Sequence, residues 1–268
     1  MCYDTKSGLL TALKYAKHRR DDPAMIAELE RQLKVFSNNF EKHYCVSGFA
    51  HPQLMVFTNE QPYTPQAFIW GLIPHWVKDT KQAQLMWNQT LNARGESIFE
   101  KSSFRTSAKN KRCLIYLDAF YEHHHAHGKT FPYHIAMKDG SPLSIAGLWD
   151  EWVNKETGEI INTCTIVTTV GNKTLTRIHN NPKLEGPRMP VILPKDKQND
   201  WLMECTTESD KQKVNELIRP FDDELLEAYT VKRIKGKDAT GDNEEAEMRY
   251  EYKELSVNET LFKHTLEL

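Results

Sequence analysis

The segment FPYHIAMKDGSPLSIAGLWDEWVNKETGEIINTCTIVTTV, residues 131–170, indicates the fold more clearly than any other part of the sequence. It contains three runs rich in β-branched and aromatic residues, separated by turn-forming residues at 138–142 (KDGSP) and 154–159 (NKETGE). Runs of this composition between Gly, Pro, Asn and Asp are typical of β-strands. The segment therefore predicts strands separated by turns, a pattern that favours a largely antiparallel arrangement over a doubly wound sheet.

Similar runs continue on both sides of this segment, from about residue 44 to about residue 195. They are QLMVF, AFIWGLI, RCLIYLDAFY and MPVIL. Because many strands occur with few helical crossovers, the sequence predicts the α+β class. We expect a single domain with a largely antiparallel, barrel-like mixed β-sheet core flanked by helices.

Helical patterns flank the strand-rich region. In DDPAMIAELERQLKVF, residues 21–36, Ile26, Leu29 and Leu33 fall on one face of a helix. A second helix is predicted within DTKQAQLMWNQTLNA, and helical structure is expected again from KDKQNDWLMEC to FDDELLEAY.

No repeat or interdomain linker divides the chain. We therefore expect residues 1–235 to form the domain and the charged segment 236–268 to pack on it or trail from it. Within that region KGKDATGDNEEAE is polar and is expected to be a mobile loop.

The composition is that of a globular protein: 39% of the 268 residues are apolar and the mean hydropathy is -0.63. No run approaches the roughly 20 apolar residues of a membrane span, and the first 20 residues contain no continuous apolar segment. We therefore expect a cytoplasmic protein with no membrane partner.

The net charge is -2, from 35 basic and 37 acidic residues, and does not by itself indicate nucleic-acid binding. Binding to DNA would need a local basic patch, for which KSSFRTSAKNKR at 101–112 is the candidate. A solvated loop is an equally good interpretation of that segment.

The cysteines and histidines of the sequence predict neither a disulfide framework nor a metal site. The cysteines at 2, 45, 113, 164 and 205 are odd in number and widely spaced, and Cys113 and Cys164 lie in apolar runs expected in the core. In EHHHAH, residues 122–127, alternate histidines would share one face of a strand. No matching ligand set lies nearby, so we expect a polar strand end or hairpin, no metal and no cofactor.

The chain begins MCYDT, with Cys2 directly behind the initiator methionine. A small second residue generally allows removal of Met1, which would leave Cys2 with a free α-amine beside its thiol. This 1,2-aminothiol is a candidate reactive group.

Four stretches, together with their order, resemble the SRAP family, the SOS-response-associated peptidase domain that shields abasic sites in DNA. They are Cys2, WGLIPHW with LNARGES, AFYEH, and RIHNNPKLEGPRMP. The segments FAHPQLMVF, AGLWDEW and TIVTTVGN match further parts of the family, and the resemblance covers roughly residues 1–200.

The resemblance implies roles for eight residues. The catalytic set would be Cys2, Asn92, Glu122 and His179. The residues that contact single-stranded DNA would be Pro52, Trp76, Arg94 and Arg188.

Two features depart from the family pattern. Family members commonly begin Met-Cys-Gly-Arg, whereas Tyr3 and Asp4 replace the glycine and the arginine here, which removes a cation expected near phosphate. The family usually has one residue between the histidine and Arg-Met-Pro, whereas residues 180–187 (NNPKLEGP) intervene here. Their Pro and Gly content indicates a looped insertion, the alternative being a displaced Arg188.

The expected function is therefore a DNA-damage response. In it Cys2 would form a thiazolidine with an abasic site in single-stranded DNA, which would be the partner, after removal of Met1. One alternative is a thiol peptidase with Cys2 as nucleophile and His179 as base, which in its narrowest form acts only on its own N-terminus. A second alternative is a noncovalent single-strand binder without the chemistry.

Overall fold

The computed structural model describes residues 3–7, 13, 22–36 and 41–255 of the chain. The strands of these regions are β1 Asp4–Ser7, β2 His43–Ser47, β3 Gln53–Thr58, β4 Gln66–Trp70, β5 Asn92–Arg94, β6 Arg112–Leu117, β7 Ala119–Ala126, β8 Lys129–Met137, β9 Leu143–Val153, β10 Ile160–Val170, β11 Arg188–Pro190 and β12 Leu226–Thr230. The helices are α1 Pro23–Phe36, α2 Thr80–Trp87, α3 Arg105–Asn110, α4 Lys173–Ile178, α5 Gln198–Leu202 and α6 Glu208–Leu217.

Five long strands close into a mixed barrel. Strand β10 pairs in parallel with β4, and antiparallel pairs then connect β4 to β3, β3 to β6 and β6 to β9. Strand β9 returns to β10 as an antiparallel hairpin, with Trp149 opposite Cys164, so the circuit has no free edge along its length. The short strands β5 and β11 extend the sheet at the end of β10. The predicted α+β class with a barrel-like mixed core is confirmed.

A second, antiparallel sheet has the order β12-β8-β7-β1-β2. Strands β7 and β8 form a hairpin whose turn places His127 and Gly128 in the left-handed region, with φ of 51° and 68°. The KDGSP connection therefore does not join two strands of one sheet: it carries the chain from β8 to β9 in the barrel. Strand β1 lies between β7 and β2, so residues 4–7 are paired on both sides within this sheet.

The core lies on both faces of the barrel strands, because successive side chains of a strand point to opposite faces. Along β3, Leu54 and Val56 belong to one buried cluster, whereas Met55 and Phe57 belong to another that includes residues of α1 and α5. The predicted core positions of Cys113 and Cys164 are confirmed, and burial raises the pKa of both thiols. These two cysteines are therefore inert packing groups at neutral pH.

Helix α1 confirms the expected apolar face, since Leu29 and Leu33 are buried in the second of these clusters. The side-chain carboxylate of Asp22 accepts a hydrogen bond from the N–H of Ala24 at 2.7 Å, which satisfies a donor of the first turn. In α2 the carboxylate of Asp79 does the same for the N–H of Gln82, at 2.8 Å.

Two expectations for the later part of the chain are wrong. The segment FDDELLEAY is not helical: after one short 3₁₀ turn it forms β12, which pairs with β8 from Leu226 opposite Met137 to Thr230 opposite Tyr133. Edge pairing supplies backbone hydrogen bonds that override the local helix propensity. Part of KGKDATGDNEEAE is also held in place, because Asp242 accepts hydrogen bonds from β2.

No helix in the described part of the chain combines the length and apolar character needed to cross a membrane.

Candidate active site

A pocket of about 700 Å³ lies against the five-stranded sheet. Its walls come from the start of β1, the β7–β8 hairpin, the residues between α4 and β11, and the segment that follows β12. Residues on these walls include Tyr3, Glu122, His123, His125, His179 and the segment 233–236.

Glu122 and His179 meet in this pocket. Glu122 lies on β7 opposite Tyr133 of β8, and His179 caps the C-terminus of α4. Their side chains approach to 3.4 Å between Oε2 of Glu122 and Nδ1 of His179. Both residues are buried, with 6% and 4% exposure, so the structure brings together two of the four predicted catalytic residues.

Burial shifts the pKa of each group towards its neutral form. Burial raises the pKa of Glu122 to about 7. It lowers the pKa of His179 to about 4, because the buried imidazolium would be poorly solvated. At neutral pH the histidine is therefore uncharged. Glu122 is present both as the carboxylic acid and as the carboxylate at this pH.

The backbone of Arg188 holds the imidazole of His179. The N–H of Arg188 donates to Nδ1 of His179 at 3.3 Å, and the carbonyl oxygen of Arg188 lies 3.2 Å from the same nitrogen. If Nδ1 accepts from that N–H, the neutral ring carries its proton on Nε2, and Nε2–H is then available as a hydrogen-bond donor. In the other tautomer Nδ1–H donates to the Arg188 carbonyl oxygen.

The same contacts confirm that residues 180–187 form a loop, because His179 and Arg188 lie side by side at its two ends. At the start of the loop the Asn180 amide nitrogen donates to the carbonyl oxygen of His125 at 2.9 Å. The Asn180 side-chain oxygen accepts from the N–H of His125 at 2.7 Å. These two bonds fix the first residue of the loop to β7, and Leu184 of the loop lines the pocket.

The guanidinium of Arg188 is directed into the protein. Its Nη2 donates to both carboxylate oxygens of Glu96, at 3.1 and 2.8 Å, and to the carbonyl oxygen of Thr168 at 2.9 Å. Arg188 is buried, so these bonds fix the barrel end of β10 to the loop that follows β5. Its expected contact with DNA stays a prediction.

Arg94 and Asn92 lie on β5, beside the same end of β10. The Arg94 side chain is half exposed and forms an ion pair with Glu185 of the 180–187 loop, at 2.9 Å. Asn92 is partly buried, and neither residue is among the described residues that line the pocket.

Pro52 and Trp76 also lie off the pocket lining, as far as the described residues show. Pro52 is buried and its carbonyl oxygen accepts from the N–H of Trp70 at 2.9 Å. Trp76 is 40% exposed, and its indole N–H donates to the carbonyl oxygen of Ser102 at 3.3 Å. An exposed indole ring is a suitable surface for a nucleotide base to stack on.

Cys2 lies outside the described residues. Its neighbour in the chain, Tyr3, lines the pocket. The next residue, Asp4, pairs with Tyr121 of β7, and Tyr121 immediately precedes Glu122. Asp4 is buried, and its carboxylate accepts from Nζ of Lys235 at 2.7 Å.

In the basic segment 101–112, Lys101, Arg105 and Lys109 are exposed, whereas the other two basic residues have internal partners. Arg112 is buried and donates to backbone carbonyl oxygens, including that of Trp201 at 2.6 Å. Lys111 is paired with the buried Asp150 at 2.7 Å. Basic residues of the pocket come instead from Lys129, Arg233 and Lys235, which sequence analysis missed because only the fold brings them together.

The histidine run does not assemble a metal site within the described residues, which contain no group of three or more His, Cys, Asp or Glu placed to hold a metal ion. His123 and His125 line the pocket, whereas Nδ1 of His124 lies 3.0 Å from the carbonyl oxygen of Arg177. Alternate side chains of a strand lie on opposite faces, so His123 and His125 lie at the pocket and His124 lies beside α4.

Comparison with known proteins relates the chain to one family. The family model described as SOS response associated peptidase (SRAP) matches residues 14–237. The abasic site processing protein YoqW of Bacillus subtilis (strain 168) is 39% identical over 166 residues, 62% of this chain and 68% of that protein. The abasic site processing protein HMCES of Pongo abelii is 32% identical over 151 residues, 46% of this chain and 40% of that protein.

A solved structure gives the same relationship at the level of the fold. The crystal structure of a protein from Bacteroides thetaiotaomicron matches with a TM-score of 0.74 and 30% identity, and the match covers 87% of this chain and 93% of the other. Since the family model also matches well over half of the sequence, the chain belongs to the SOS response associated peptidase (SRAP) family.

Proposed function

We propose that this protein caps abasic sites in single-stranded DNA by forming a thiazolidine with Cys2 after removal of Met1. The observation that carries the proposal is the buried pair of Glu122 and His179, in a pocket that Tyr3, the neighbour of Cys2, also lines. Relatives named as abasic site processing proteins support the choice of substrate.

The chemistry needs an amine and a thiol on one residue. The ring-opened sugar of an abasic site carries an aldehyde, to which the α-amine of Cys2 adds, and loss of one water gives an imine. The thiol then adds across the C=N bond, so that sulfur bonds to carbon and the thiol proton ends on nitrogen. This closes a five-membered ring with little entropic cost, because both groups belong to Cys2. One water is released overall and the DNA strand is not cut.

Glu122 and His179 are suited to the proton transfers. With a pKa near 7, Glu122 can take a proton from the attacking amine and return it to the hydroxyl that leaves as water. Neutral His179 can donate from Nε2 to the sugar ring oxygen, which promotes opening to the aldehyde.

The other family positions would hold the DNA strand. The Asn92 amide would bind the N-terminus or sugar oxygens, and Arg94 would bind phosphate. Trp76 would stack on a base, and Pro52 would also contact the DNA. For Arg188 to contact phosphate, its guanidinium would have to release the Glu96 carboxylate and bind a DNA phosphate in its place.

The experiment uses a single-stranded oligonucleotide with one uracil, with and without uracil glycosylase. Wild-type protein, shown by intact mass to lack Met1, should give a heat-stable adduct with the treated DNA only. Its mass should equal the sum of the two components minus one water. Cys2→Ala keeps the amine and should give only a labile imine that borohydride traps.

A variant with an uncleaved residue before Cys2 separates this mechanism from thiol chemistry. The extension keeps the thiol but converts the amine into an amide, so we expect no adduct. A stable adduct of the extended protein would refute the aminothiol mechanism and support a thiol nucleophile, as in the peptidase alternative.

A further inference from the structure

The segment that follows β12 forms one wall of the pocket and has a defined position. The N–H of Val231 donates to the carbonyl oxygen of Pro132 on β8 at 3.0 Å, and Val231 forms an isolated bridge with Arg249. Two residues later the carbonyl oxygen of Arg233 accepts from the N–H of Thr240 at 2.9 Å. Residues 233–236 thus face the pocket from a wall that backbone hydrogen bonds hold in place.

The charge of the pocket lining is mainly positive. Lys129, Arg233 and Lys235 line it, whereas Glu122 is the one carboxylate among its described lining residues. Burial raises the pKa of Glu122, so that carboxylate is partly neutral at pH 7. The carboxylates of Glu254 and Asp4, which lie outside the lining, offset part of the charge of Lys129 and Lys235, so Arg233 contributes most to the attraction of an anion.

The three cations differ in their existing partners. Lys129 pairs with Glu254 at 2.8 Å, and Lys235 pairs with Asp4 at 2.7 Å. The exposed guanidinium of Arg233 makes no hydrogen bond or ion pair with the residues that the structure describes. The charge of Glu254 acts on Arg233 only at longer range, so Arg233 can bind an external anion without breaking a hydrogen bond or ion pair to those residues.

Lys235 keeps donors for a ligand although it is paired. Its ammonium group has three N–H donors, and half of its side chain is exposed, whereas the Asp4 side chain is buried. By binding Asp4, Lys235 places a cation beside β1, although the two residues are 231 positions apart in the sequence.

We propose that Arg233 and Lys235 form a phosphate-binding site that holds the DNA backbone beside the abasic sugar. The inference rests on the proposed function for the identity of the ligand. A phosphodiester oxygen pair matches the planar donor fork of Arg233, while Lys235 adds a point charge near β1.

The test measures noncovalent binding of a single-stranded oligonucleotide that carries a tetrahydrofuran residue, which has no aldehyde and cannot be cross-linked. Arg233→Ala and Lys235→Ala should each weaken binding at low salt. Each should also reduce the slope of log affinity against log salt by about 0.7, the value for one phosphate contact on a single strand.

Lys232→Ala is the matched control. Lys232 is adjacent in sequence and has the same charge, but it pairs with Glu245 at 2.8 Å and is not among the described residues lining the pocket. Its salt slope should equal that of the wild type. A wild-type slope in Arg233→Ala or Lys235→Ala would overturn the proposal at that position.

Two further measurements keep the result interpretable. Lys235→Ala leaves the buried Asp4 carboxylate without this partner, so Lys235→Arg, which restores a cation, should recover the slope if phosphate binding is the cause. Wild-type protein that binds the tetrahydrofuran strand but forms no adduct with true abasic DNA would refute the proposed function and leave the phosphate site standing.

Discussion

At the scale of single residues, the protonation of Glu122 controls the proposed reaction. Because burial raises its pKa to about 7, the carboxylate that accepts the amine proton becomes populated as pH rises through that value. His179 stays neutral over this range, since burial lowers its pKa to about 4. The rate of adduct formation should therefore rise through neutral pH.

Glu122→Gln tests this role. The glutamine preserves the shape of the side chain but does not titrate, so we expect adduct formation to slow by about 10²-fold or more at neutral pH. The rising part of the pH profile should move to roughly 7.7–8.0, where an ordinary α-amine loses its proton. Single-turnover rates followed by gel shift under denaturing conditions measure both effects.

Affinity for the tetrahydrofuran strand provides the control for Glu122→Gln. A residue that acts in proton transfer should leave this affinity nearly unchanged. Equal losses in affinity and in rate would instead make Glu122 a structural residue of β7.

Sequence reasoning selected Glu122 and His179 as catalytic candidates because each lies in a short motif of the family that the sequence resembles. It missed Arg233 and Lys235 because their role depends on a contact with Asp4 across 231 positions of sequence. It also did not anticipate that Glu96 binds the guanidinium of Arg188, since no local pattern indicates that contact.

At the scale of elements, the 180–187 loop should be separable from the fold. Replacing residues 181–186 with two glycines, while Asn180 is kept, should leave the melting temperature and the cross-linking yield close to wild type. The reason is that residues 182–186 are exposed. A large fall in melting temperature would show that the loop contributes to packing.

Asn180→Ala is the contrasting change in the same loop. It removes both hydrogen bonds to His125 on β7 and should lower the free energy of unfolding by about 0.5–1 kcal/mol, measured by denaturant titration. Equal stability of this variant and the wild type would mean that water replaces those bonds without cost.

The ion pair between Glu185 and Arg94 should compete with DNA. Glu185→Gln frees the guanidinium that we expect to bind phosphate, so single-strand affinity should rise by up to about fivefold at low salt. Glu156→Gln, an exposed residue of the β9–β10 hairpin, is the charge-matched control. The gain should vanish in an Arg94→Ala background, and its persistence there would exclude competition for Arg94.

The elements themselves were predictable where their pattern is periodic and local. Helix α1 and the barrel strands follow from apolar spacing and turn residues. FDDELLEAY was misassigned because its strand character comes from the free edge of β8, which lies almost 90 positions earlier in the chain. Nothing in the sequence of those nine residues indicates that β8 offers an edge for pairing.

At the scale of the whole molecule, the segment after β12 attaches to the opposite edge of the same sheet. The carboxylate of Asp242 accepts hydrogen bonds from Nδ1 of His43 at 2.7 Å and from the N–H groups of Tyr44 and Cys45 at 2.6 and 2.9 Å. Burial opposes ionisation of Asp242, but these hydrogen bonds outweigh it and lower the pKa of Asp242 below its ordinary value.

This attachment predicts an acid-dependent stability. Because the folded pKa of Asp242 is depressed, its contribution is complete above the unfolded value and is lost as pH falls through the folded one. Asp242→Asn should lower the free energy of unfolding by about 1–2 kcal/mol at neutral pH. The difference from wild type should shrink on acidification, as measured by thermal melts across pH. A constant difference at all pH values would show that the charge of Asp242 is not involved.

The position of β1 inside the sheet, between β7 and β2, has a mechanical consequence. A DNA strand joined to Cys2 would transmit any pull from machinery moving along it to β1, which begins two residues later. Since β2 and β7 flank this strand, tension along its axis loads both hydrogen-bonded ladders in shear and must break them together. The ion pairs of Asp4 with Lys235 and of Lys6 with Glu247 resist the same displacement. Detaching the protein by force would therefore require rupture of the five-stranded sheet, not the peeling away of a loose end.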